Sequence, residues 1–303
     1  MKKRSKIIII SVASFLLILG ITLFFVFNPY FFRYYFGGET FNINEEPQDD
    51  ITIMSFNVRY KNFDDKGKRS WEYRADLVIK VIKQEKPDII GFQEAQTIHE
   101  DYFKKHLHGY DFKEAYASNS KEKEGALILY RNDMFDKTNE GLFWLSETPD
   151  VPSVSWNSAC TRVASFVVLK HKYTNKQYAI INTHLDHVSR EARINGMEVI
   201  IDKIESLDLK TPILMGDMND VESSITYRRV TEYGFNDALK VAGESYIGTG
   251  ATFHHFGESL DNPRIDFFFT DQSLTINNYH VVDKTFDNVY PSDHFPIVID
   301  IEE

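Results

Sequence analysis

Apolar and polar positions along this 303-residue chain change rhythm several times. From Ile7 to Phe27 the run is apolar, broken only by Ser11, Ser14, Gly20 and Thr22, and free of charge. As a helix it is long enough to cross the roughly 30 Å hydrocarbon core of a bilayer. MKKRSK precedes it and the bulky NPYFFRYYF follows. The basic end favours a cytoplasmic N-terminus, and the aromatic flank has the character of an interfacial belt rather than of a signal-peptide cleavage site. Gly37 to Asp50 is polar and acidic with no apolar period, as a short tether would be. The expected organisation is a basic cytoplasmic end over 1–6, a transmembrane anchor over 7–27, a juxtamembrane tether over 28–50 and one folded domain over 51–303, outside a cell membrane crossed once.

In the folded part, ITIMSFNVRY reads as a strand by its alternation and β-branched content. Ala75, Val78, Ile79 and Ile82 then fall at helical spacing, and Pro87 ends that helix. DIIGFQE, EGALILYR, RVASFVVLKHK and QYAIINTHLDH read as further strands, the last two joined by a turn at Thr174-Asn175. Met197, Ile200, Ile201 and Ile204 give a second helical stripe, followed by strands at PILMGDMND, RIDFFFTD, SLTINNYHVVD and FPIVIDIEE. Many strands, short turns between some and helices between others predict an α/β fold with two sheets flanked by helices.

Composition narrows the function. A net charge of −11 becomes more negative still once the first 33 residues are set aside, because Lys2, Lys3, Arg4, Lys6 and Arg33 lie there without an acidic residue. An acidic exterior disfavours long nucleic acids as partners. Cys160 is the single cysteine, which excludes an intrachain disulfide and zinc-finger or iron–sulfur ligation.

The polar residues that matter sit within or just beyond the apolar runs: Asn57, Glu94, His184, Asp217, Asn219, Asp266, Asp293 and His294. Each alone could cap a turn or satisfy local backbone. Together, with several hard-oxygen donors suited to magnesium or calcium, they suggest a metal-assisted hydrolytic site. The triplet Ser292-Asp293-His294 is not a serine-hydrolase relay, since neighbours on an extended chain point to opposite faces.

IMSFNVRY, GFQEAQ, INTHLDH, ILMGDMND, RIDFFFT and YPSDHFPI, in this order, resemble the signature blocks of the endonuclease/exonuclease/phosphatase superfamily over about residues 51–301. The resemblance implies a four-layer α/β sandwich with its site at one end of two central mixed sheets. It implies Glu94 as the main ligand of a divalent cation, with Asn57 beside it and Asp293 adding a ligand or water contact. The cation would be magnesium, with manganese or calcium as alternatives. It also implies His294 as general base or electrostatic partner, oriented by Asp266, with Asp217 positioning the water or handling the leaving-group proton. Asn219 would then donate to a phosphate oxygen. His184 argues against the abasic-site endonucleases, which lack it, and Glu124 stands where a related branch places the carboxylate that orients it. Arg162, beside a Pro-rich loop, is expected near a substrate phosphate.

The activity implied is metal-dependent phosphoester hydrolysis, with extracellular nucleic acid, a phospholipid headgroup such as that of sphingomyelin, and a small phosphomonoester as competing substrates. A non-catalytic binding module on the same fold is the alternative of a different class. No protein partner is implied.

Overall fold

The computed structural model describes residues 2–43, 50–117 and 124–302, with side chains from Ser11 onward. The apolar runs pair into two mixed sheets. Their strands are β1 Asp50–Asn57, β2 Ile89–Ala95, β3 Tyr110–Lys113, β4 Gly125–Arg131, β5 Phe135–Trp144, β6 Val163–His171, β7 Gln177–His184, β8 Pro212–Asp217, β9 Asp266–Thr270, β10 Ile276–Val281 and β11 Ile297–Glu302. The first sheet runs β10-β11-β1-β2-β4-β3, with Tyr246–Ile247 added beside β10. The second runs β9-β8-β7-β6-β5, with Asn236–Asp237 added beside β9.

Alternation along each central strand feeds two different cores. Ile53, Ile180 and Ile213 share one buried cluster between the sheets. Their neighbours in sequence turn outward: Met54 packs in a cluster with α3 (Trp71–Glu85) and α4 (Thr97–His106), and Ile181 and Leu214 pack in one with α5 (Arg190–Ser206) and α6 (Ile225–Tyr233). Strands covered on both faces have no polar side, which is why they read as continuous apolar runs. The order helix, sheet, sheet, helix follows from these three clusters.

The N-terminal segment differs from the expected tether. Helix α1 covers Lys2–Phe27, and a second helix, α2, covers Pro29–Phe36. Among the described residues no single helix is long and apolar enough to cross a membrane, whereas Ser11–Phe27 and Pro29–Phe36, bent by 97°, meet that criterion together. Helix α2 is folded onto the domain. Tyr34 stacks on Tyr102 with ring centres 5.0 Å apart, its hydroxyl accepts from Trp71 Nε1 at 3.2 Å, and Arg33 pairs with Asp76 at 3.0 Å. Phe41–Asn42 then pairs in parallel with Leu107–His108. Residues 29–43 are thus part of the folded body, while 44–49 of the expected tether lie outside the described residues.

Candidate active site

Backbone pairing collects the polar strand ends at one edge. Asp217, the last residue of β8, is the register partner of His184 on β7 and of Asp266 on β9, so the three stand in one row across adjacent strands. Gly216 makes the close approach workable: its φ is +144° and a Cβ there would stand 1.9 Å from the Thr183 carbonyl oxygen. The loop from Pro291 to Pro296 brings Asp293 and His294 in from the start of β11, which runs antiparallel to β1 and pairs Ile297 with Ser55.

Asn57 at the end of β1 forms the floor. Its Nδ2 donates at 3.0 Å both to Glu94 Oε1 and to Asp217 Oδ2, drawing two buried carboxylates toward one point. Glu94 reaches that point because the pairing of β2 with β4 shifts register between Phe92 and Ala95, and Glu94 itself has φ +59°. A non-glycine residue in the left-handed region costs about 1–3 kcal/mol and persists only where its surroundings demand it. Here they do: Tyr60 N donates to Glu94 Oε2 at 2.9 Å, and Arg59 N donates to Asn57 Oδ1 at 3.0 Å. Arg59 also reaches Asp293 at 3.4 Å.

Behind the floor lies a fully buried guanidinium. Arg74, on α3, donates to the backbone carbonyls of Arg69, Val58, Pro291 and Arg59 at 2.8, 2.7, 2.9 and 3.1 Å, tying the loop after β1 to the loop before β11. Burial lowers its pKa to about 10, against the raising effect of Asp293, so it stays charged at neutral pH.

The two histidines are held differently. His294 Nδ1 lies 2.9 Å from Asp266 Oδ2 and its Nε2 lies 3.7 Å from Asp217 Oδ2. Burial opposes its charge, but Asp266 and Asp217 outweigh burial and raise its pKa. Asp217 is pushed up as well, first by burial and then by the charge of Asp266. His184 is buried beside Arg162, which stands 3.0 Å from its Nδ1, and both effects lower its pKa well below the ordinary value. Asn219, with φ +46°, contacts His184 Nε2 at 2.9 Å and donates to Leu185 O at 3.0 Å.

A cleft of about 450 Å³ opens over these groups, lined also by Tyr60, Cys160, His187 and Phe253. The structure thus brings Asn57, Glu94, Glu124, Arg162, His184, Asp217, Asn219, Asp266, Asp293 and His294 to one edge, in or beside one cleft. The direct contact expected between Glu124 and His184 is not made: Glu124 pairs with Arg162 at 3.5 Å, and Arg162 occupies the histidine's Nδ1. Burial, then the charge of Glu94, pushes the Glu124 carboxyl up to about 7.

The donor set fits a divalent cation. An amide N–H of Asn57 stands between two carboxylates, where positive charge is favoured, and the surrounding donors are hard oxygens of the kind magnesium takes. Among the described residues, Asp217, Asp266 and His294 also present donor atoms within 4.8 Å of one another, a grouping distinct from the expected Asn57, Glu94 and Asp293. Arg59, which lines the cleft, and Arg74, which lies behind it, were not singled out by the sequence. Arg74 had left a sign, a basic residue in helical register with the apolar Val78 and Ile82.

Comparison with known proteins agrees with this geometry. The model of the Endonuclease/Exonuclease/phosphatase family matches residues 40–294. An endonuclease/exonuclease/phosphatase from Bacteroides vulgatus superposes with a TM-score of 0.77 at 30% identity, covering 84% of this chain and 99% of that one. A mannosyl-6-phosphatase of Bacteroides thetaiotaomicron superposes with a TM-score of 0.76 at 30% identity, covering 83% of this chain and 99% of that one. In sequence, the CCR4-Not complex 3'-5'-exoribonuclease subunit Ccr4 of Candida albicans is 21% identical over 72% of this chain and 33% of its own length. The chain therefore belongs to the Endonuclease/Exonuclease/phosphatase family, whose members are hydrolases acting on phosphoesters.

Proposed function

We propose that this protein hydrolyses a small phosphate monoester with the help of a divalent cation, and that its N-terminal helix holds the catalytic domain at the outer face of a membrane. The observation that carries the substrate reading is the cleft. At about 450 Å³, walled by Tyr60 and Phe253 and basic at Arg59 and Arg162, it matches one sugar-sized group and its phosphate rather than a polymer. The acidic exterior points the same way, as does 30% identity to a mannosyl-6-phosphatase. The anchor reading is supported by the exposed apolar side chains of α1, among them Phe15, Leu17, Ile18 and Val26.

Glu94 and Asn57 would hold the cation, with Asp293 contributing directly or through water. When bound, it supplies positive charge for the phosphoryl oxygens. The chain's own groups do the rest. His294, kept charged by Asp266, faces the charge that grows on the phosphate in the transition state. Asp217 accepts the proton of the attacking water, and Asn219 and His184 flank the phosphate from the other side. Arg59 gives the ground-state phosphate its place, while Arg162 lines the cleft behind His184.

The test is phosphate release by the full chain in detergent, with and without magnesium, over hexose phosphates, nucleotides, single-stranded RNA, supercoiled DNA and sphingomyelin. Turnover confined to small monoesters supports the proposal; preference for a polymer or a lipid contradicts it.

A further inference from the structure

The two histidines of the cleft meet opposite kinds of partner. His294 Nδ1 faces the Asp266 carboxylate, which only accepts. His184 Nδ1 faces Nη1 of Arg162 at 3.0 Å, and a guanidinium has five N–H donors and no acceptor. The Nδ1 of His184 must therefore present its lone pair. A neutral imidazole carries one proton, so that proton belongs on Nε2.

Two groups surround Nε2: Asn219 Nδ2 at 2.9 Å and Asp217 Oδ2 at 3.4 Å. Of the two, Asp217 is the acceptor for an Nε2–H. The carboxylate accepts it, whereas the Asn219 amide nitrogen is fixed as a donor by Leu185 O at 3.0 Å, so Asp217 is what favours the proton on this side of the ring. No rotation gives Arg162 an acceptor. Arg162 is itself held in place, 8% exposed, with Nη2 donating to His187 Nδ1 at 3.3 Å and Nη1 3.5 Å from Glu124.

We propose that Arg162 is a positioning residue that fixes His184 in the Nε2–H tautomer, so that this ring offers the phosphoryl group an N–H donor, and that Glu124 acts on the histidine only through Arg162. In this state His184 cannot be the base that activates water, because the nitrogen facing the cleft already bears a proton. The proposal deepens the hydrolase reading and rests on it for the role of the donated bond. The tautomer itself is readable without turnover.

The experiment is long-range proton–nitrogen correlation on the full chain in detergent with nitrogen-labelled histidine, the His184 signals being assigned by their loss in His184→Gln. The wild-type ring should show its proton on Nε2 alone. Arg162→Met should release it to a mixture or to Nδ1–H and lower kcat about 100-fold, the scale of losing one preorganised donor, with KM changed far less. Arg162→Lys, still a donor without an acceptor, should keep the tautomer and recover most of the rate. Glu124→Gln should keep the tautomer too. Unchanged His294 signals in each variant report an intact site. A wild-type His184 protonated on Nδ1 or on both nitrogens overturns the proposal, as does Arg162→Met with the tautomer unaltered. The expected tautomer in a protein that turns over no phosphoester would sink the hydrolase reading and leave the Arg162–His184 assignment standing.

Discussion

Arg74 is the most exacting test of how the site is held. Among the described residues its guanidinium has no hydrogen-bonded carboxylate; it serves four backbone carbonyls, those of residues 58, 59, 69 and 291. Arg74→Met keeps much of the side-chain volume and leaves those carbonyls without their donor. At about 1 kcal/mol for each hydrogen bond lost, four bonds give roughly 4 kcal/mol. Removing a buried cation relieves some desolvation cost, which offsets part of this. A net loss of about 2–4 kcal/mol is expected, or a fall in Tm of roughly 4–16 °C for a domain of this size. Activity should fall further than stability alone implies, because the same loops carry Tyr60, Asp293 and His294. Thermal unfolding by circular dichroism and turnover measured well below the variant's Tm separate the two effects. An unchanged Tm with unchanged turnover would refute the claim that this buried cation ties the loops together.

Other expectations follow from single contacts. Tyr34→Ala should cost about 3 kcal/mol in urea unfolding, the range for emptying a buried aromatic site, because α2 is part of the packed body; a flexible tether would give no change. Glu94→Ala should weaken magnesium binding in calorimetry and lower turnover by at least about 100-fold, and retention of both would remove Glu94 from the metal site. Glu85 is more than half buried, and although burial raises its pKa, hydrogen bonds to His280 and Lys284 outweigh this and lower it. A depressed carboxyl stabilises the fold above its unfolded value, near 4.5, and that contribution is lost as pH falls through the folded value. Glu85→Gln should therefore cost stability at pH 7 and show a weaker acid loss below pH 4.5; parallel profiles for the two proteins would contradict this.

Much of the architecture was legible because central strands covered on both faces, such as β2 and β8, leave an uninterrupted apolar signature. The site was legible for a related reason. Asp217 and Asp266 are costly to bury, so their position at the ends of FFF-rich or ILM-rich strands marked them as residues with partners. Strand β5 was not readable, since FDKTNEGLFW exposes most of its first half at a sheet edge and shows no buried alternation. Helix α2 was missed because its docking rests on Tyr34 and Arg33 finding Trp71, Tyr102 and Asp76 far along the chain. The partner of Glu124 was missed for the same reason: whether a carboxylate meets a histidine or an intervening guanidinium depends on tertiary placement, and spacing along the chain carries no record of it.

The activity proposed for this chain is cation-dependent hydrolysis of a small phosphate monoester in the cleft between Glu94 and His294. Its most direct test is the initial rate of phosphate release from a hexose 6-phosphate by the full chain in detergent, titrated with magnesium, beside His294→Ala. Saturable, magnesium-dependent release is expected, abolished in His294→Ala while magnesium still binds. Equal release by wild type and His294→Ala, or release indifferent to magnesium and chelator, would contradict it.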